Sequence, residues 1–130
     1  MKKIMLIAIG AMLACTSCNT VVPSLANQTF SLTELNGTAL NADNEPAIAF
    51  NDSMVSATVG CNRINAMYKT GENGSLTLQQ AASTRMMCPD NLRENEFIES
   101  LNKITRYTYE GENVTFFDAE GNALIKAVKQ

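Results

Sequence analysis

"MVSATVGCNRINAMYKTGENGSLTLQ", residues 54–79, decides the fold. Val55, Ala57 and Val59 alternate with Met54, Ser56 and Thr58, the period of two expected of a strand with one buried face. Further on, Asn73 and Gly74 separate "NAMYK" from "SLTLQ". Both residues tolerate positive φ, which a tight hairpin turn demands. Leu76 and Leu78 then point one way while Ser75, Thr77 and Gln79 point the other. The stretch reads as antiparallel strands joined by short turns.

The same pattern extends in both directions. Upstream, "FSLTEL" (30–35) stops at Asn36-Gly37, and "AIAF" (47–50) follows Pro46. Downstream, "TRYTYE" puts Tyr107 and Tyr109 on one face, followed by "NVTFFD" and "ALIKAVK" after Gly- and Asn-bearing turns. One segment departs from it. In residues 89–104, Phe97, Leu101 and Ile104 fall at i, i+4 and i+7, with Leu92 a turn earlier. That spacing predicts one amphipathic helix of about 13 residues, with Asp90 capping its first turn. The sum is about eight short strands with one helix between the fifth and sixth. A mainly β fold follows, a small antiparallel β-barrel, with a sandwich as second choice.

The N-terminus belongs to a different kind of segment. Lys2 and Lys3 precede an apolar stretch at residues 4–14 and small residues around Cys15 and Cys18. This is the layout of a secretory signal, and the stretch is too short for a membrane helix, which needs about 20 apolar residues. A cysteine at the end of such a signal resembles a lipobox. Cys18 after "TS" is the favoured lipidation site, with Cys15 as the alternative. The expected organisation is a signal peptide at 1–17, a tether at 18–28 and one domain at 29–130. Lipidation would make the chain a membrane lipoprotein of the bacterial envelope, on the outer membrane or the periplasmic face. The formal charge is −3, and losing the two leader lysines makes it more acidic. No basic cluster offers a footprint for nucleic acid.

Histidine is absent, which excludes Ser-His and Cys-His nucleophile pairs and histidine-bearing zinc sites. "DAEGN" (118–122) places its glycine too early for a calcium loop, and the closing acid of such a loop would fall on Lys129. It reads as a hairpin tip. Cys61 and Cys88 remain. In an exported protein two cysteines that meet in space are normally oxidised. The bridge would close a loop of about 28 residues, worth roughly 3–4 kcal/mol in the chain-entropy model. A structural disulfide is favoured over buried free thiols and over a redox centre. No catalytic residue, metal ligand or cofactor site is expected, and hence no enzyme.

"GCNR" at 60–63, "STRMMC" at 83–88, the helix with Phe97 and Leu101, and the late "LIK" together resemble the META domain family, which includes heat-inducible HslJ-like lipoproteins. The resemblance spans roughly residues 29–129. It implies a small antiparallel barrel with one helix and a stress-linked envelope role, and it supplies no catalytic residues. Where the opening strand of the family often carries tryptophan, this chain has Phe30. Asn62 and Thr84 are expected to hydrogen-bond backbone beside the bridge, with Met86 and Met87 filling gaps around it. The other reading makes Asn62, Arg63, Thr84 and Arg85 a binding surface for an anionic or peptide ligand. The function expected is that of a monomeric, lipid-anchored interaction module whose partner is an unidentified envelope protein. A barrel carrying a small lipid-like ligand is the alternative.

Overall fold

Val55, Ala57 and Val59 are buried, so the alternation in residues 54–59 is realised as a strand with one face inward. The computed structural model describes residues 21–84 and 86–130. Its strands are β1 (Gln28–Leu35), β2 (Thr38–Ala39), β3 (Ala47–Phe50), β4 (Met54–Thr58), β5 (Ile64–Thr70) and β6 (Leu76–Ser83). The helix α1 (Glu94–Lys103) follows, then β7 (Arg106–Glu110), β8 (Asn113–Phe117) and β9 (Ala123–Lys129). Eight strands run antiparallel in the order β6-β5-β4-β3-β1-β9-β8-β7. The two-residue β2 pairs only with β1, across Asn36 and Gly37, both at positive φ. The eight expected strands and the position of the helix are borne out; β2 is additional.

Three register shifts, in β1–β9, β5–β6 and β8–β9, bend the sheet towards closure. Among the described residues the edge strands meet at one end only. Ser75 bridges to Arg106, and Leu76 N donates to Thr105 O at 2.9 Å. Gly74 makes this seam possible. Its φ is +77°, and a Cβ there would lie 2.4 Å from Tyr107 O. The helix connects the two edges and packs on β6. It buries Phe97 and Leu101, and Ile104 just past its end is buried as well.

Within the core several aromatic rings meet. Phe50 contacts Phe30, Tyr68 and Phe116, and Phe30 meets Tyr109 edge-on. Tyr68 donates its hydroxyl to Asn51 O, and burial, with a smaller push from Asp52, raises its pKa above the ordinary value. Leu76 and Tyr107 are buried as the alternation requires, while Leu78 and Tyr109 are half-buried.

Two expectations need correction. Asp90 does not cap the helix. Residues Asp90–Leu92 form a separate 3-10 turn that buries Leu92, and Arg93 follows in the left-handed region at φ 58°. The chain changes direction there, so α1 begins only at Glu94 and runs 10 residues rather than 13. The expected tether at 18–28 is also partly folded. β1 starts at Gln28, Leu25 is wholly buried, and Tyr107 donates its hydroxyl to Pro23 O at 2.8 Å. A lone leucine in an aperiodic stretch gives no periodic signal; its burial shows only in the fold.

Candidate functional site

Gly60 ends the run after β4 at φ +125°, and a Cβ on it would lie 2.8 Å from the Asn44 side chain. Only glycine lets the chain turn so close to the Ala42–Asn44 turn. The turn delivers Cys61, Asn62 and Arg63 to the end of the β5–β6 hairpin. Ser83 pairs with Ile64, so the chain leaving β6 passes the same place. Cys61 and Cys88 are joined there in a disulfide with Cα atoms 5.9 Å apart. Both are half-buried and packed against the core.

Asn62 is the polar centre of this pole. It is 5% exposed. Its Nδ2 donates to Glu94 Oε1 at 2.7 Å, to Met86 O at 3.0 Å and to Cys88 Sγ at 3.0 Å. Its Oδ1 accepts from Met86 N at 2.8 Å and from Thr84 Oγ1 at 2.9 Å. Its backbone N–H donates to Glu94 Oε2 at 3.2 Å. Thr84 Oγ1 in turn accepts from Arg63 N at 3.0 Å. Satisfying both ends of one buried amide fixes the loop after β6 against the start of α1.

The residues proposed from sequence therefore divide. Asn62 is buried, and Thr84, exposed at the surface, bonds Asn62 and the Arg63 backbone as the structural reading expects. Arg63 is exposed at the surface of the pole. Arg85, Cys15 and Cys18 lie outside the described residues. The methionines do not fill gaps. Met86 is 60% exposed and Met87 101% exposed. Asn62 bonds both the C=O and the N–H of Met86, and the next side chain, Met87, stands in solvent.

Glu94 brings a carboxylate oxygen within 4.8 Å of both sulfurs. The sulfurs are bonded to each other, and a disulfide sulfur is not the thiolate that binds metal. Arg93 adds a second brace. Its Nη2 donates to Leu35 O at 2.9 Å and its Nε to Glu96 Oε2 at 2.6 Å. Beyond the C-terminal end of α1, where Lys103 shares a cleft with it, Asp118 holds the 118–122 hairpin tip. It accepts from Asn122 Nδ2 at 3.0 Å, Asn122 N at 2.8 Å and Glu120 N at 3.0 Å. Those donors, Asn122 first, lower its pKa.

A family model for the META domain matches residues 23–130. The chain belongs to the META domain family. A protein solved by NMR is similar at 30% identity and TM-score 0.65, covering 80% of this chain and 90% of that one. A protein from Burkholderia xenovorans, at 18% identity and TM-score 0.66, covers 82% and 83%. A duf4847 family protein from Bacteroides vulgatus ATCC 8482, at 16% identity and TM-score 0.62, covers 80% and 93%. The latter two are similar in fold alone. Among curated proteins none matches. The META match begins at Pro23, which includes the buried Leu25 and agrees with a domain that starts before β1.

Proposed function

We propose that this META domain protein is a non-catalytic, lipid-anchored module of the bacterial envelope that binds a protein partner through its disulfide pole in a stress-linked role. The observation that carries the reading is the presentation of Met87. Its side chain is fully exposed on a loop clamped by the Cys61–Cys88 bridge and by Asn62. A flexible apolar side chain on a rigid mount suits partner recognition, because little ordering entropy is lost on docking. Arg63, exposed on the same pole, adds a charge beside it. The signal-like N-terminus with Cys18, or Cys15, supports the anchor. The absence of histidine supports a role without nucleophilic catalysis. The interaction reading is preferred to the carrier alternative, because Phe30, Phe50, Tyr68 and Phe116 are buried and packed against one another in the core.

A photo-crosslinking residue placed at position 87 in intact cells tests the binding face. A reproducible protein adduct at 87 and none at position 120 is the expected result. Equal capture at both positions, or none at 87, would remove the pole as a binding face. Detergent partitioning of Cys18→Ala and Cys15→Ala tests the anchor separately.

A further inference from the structure

We infer that the barrel sits with its seam against the membrane surface and its disulfide pole directed away from it, an inference that rests on the lipid anchor proposed above. The segment ahead of β1 is a docked strap rather than a free leash. Leu25 is wholly buried, Val22 packs against the core, and Tyr107 donates its hydroxyl to Pro23 O at 2.8 Å. Val22 also lies 3.5 Å from where a Cβ on Gly74 would be. The strap is thus fastened to the turn after β5 and to β7, at the seam.

Chain length then limits the orientation. Cys18 precedes Val21 by three residues, at most about 10 Å of extended chain. Cys15 would allow about 20 Å. A domain of about 100 residues has a radius of gyration near 13 Å, so either leash is shorter than the molecule is wide. The seam face must stay near the headgroups. Val21, the outermost described residue of the strap, is 86% exposed, an apolar side chain placed where it meets the interface. Glu72, Arg106 and Glu110 line clefts on this face beside Val21 and Val22. With both signs present, charge neither holds nor repels the bilayer strongly, and leash length sets the orientation.

The two poles lie at opposite ends of one strand. β5 runs from Ile64, next to the disulfide, to Thr70, next to the seam turn. Seven strand residues span about 23 Å. Met87 and Arg63 are therefore held off the membrane, open to a partner from the aqueous side.

The chain lacks tryptophan, so single tryptophan reporters are unambiguous. The full-length lipidated protein is incorporated into phosphatidylethanolamine–phosphatidylglycerol vesicles carrying a headgroup nitroxide quencher. Val21→Trp and Thr70→Trp, both at exposed positions, should be quenched several-fold more than Met87→Trp. A Gly/Ser insert of about 20 residues between positions 20 and 21, with a mean span near 25 Å, should erase most of that difference. Equal quenching of the three reporters in vesicle-bound protein overturns the orientation while the anchor stands. If the wild-type chain does not float with vesicles, or the Cys15→Ala/Cys18→Ala variant does, the anchor reading fails and the orientation falls with it.

Discussion

Asn62 Nδ2 donates to Glu94 Oε1 at 2.7 Å, tying the loop after β4 to the first residue of α1. Because the same side chain also holds Met86 and Thr84, its removal strands several buried partners at once. Asn62→Ala is expected to cost about 2–3 kcal/mol, the scale of lost hydrogen bonds that include a charged partner. Urea unfolding measures it. A loss under about 0.5 kcal/mol, the scale of a neutral surface change, would mean that water replaces the amide without penalty.

The disulfide is expected to contribute on the order of 2–5 kcal/mol. The Cys61→Ser/Cys88→Ser variant, compared with wild type with and without reductant, reads this out. The order of loosening differs from what an isolated apolar stripe on the helix would suggest. The helix keeps polar ties through Glu94 to Asn62, Arg93 to Leu35 O, and Ser100 to Asn36. Hydrogen exchange after reduction should therefore rise first in residues 84–90, with α1 protected longer. Simultaneous loss of protection in α1 would contradict these ties.

Gly74 and Gly111 separate strain from steric closure. Both have positive φ, but only at Gly74 would a Cβ meet another strand. Gly111→Ala should cost about 1 kcal/mol from conformation alone. Gly74→Ala should cost clearly more, because Tyr107 O must move and the Ser75–Arg106 bridge with it. Matching midpoints for the two variants would show that the seam is not needed for stability.

Leu25→Ala is expected to lose about 2–5 kcal/mol, as for other wholly buried leucines. Val21→Ala, at an exposed position, should be neutral within about 0.5 kcal/mol. If Leu25→Ala were equally neutral, the strap would not be part of the fold.

Asp118 provides a pH signature. Its folded pKa is lowered, chiefly by Asn122, so the stabilisation is present above the unfolded value and is lost as pH falls through the folded one. A carboxyl titration followed by NMR should give a midpoint below the ordinary Asp value. Asp118→Asn should flatten the acid limb of the stability profile. An ordinary midpoint would mean that the turn hydrogen bonds do not persist in solution.

The alternation of Val55, Ala57 and Val59 and the Asn73-Gly74 turn specified strands and hairpins from sequence, because period two and positive φ are local properties. The stripe of Phe97, Leu101 and Ile104 specified the helix for the same reason. Its start was misread because the 3-10 turn and the left-handed Arg93 answer to distant partners, Leu35 O among them. The paired cysteines were legible through their chemistry, and the "GCNR" and "STRMMC" motifs through resemblance. Their geometry was not. The loop that presents Met87 in solvent is tied through Asn62 to Met86 and Glu94, 24 and 32 residues away. The strap at Pro23 likewise takes its meaning from a contact with β7, more than 80 residues on. Local periodicity determined the elements; closure of the barrel, which brings remote backbone together, decided the poles, the strap and the exposed loop.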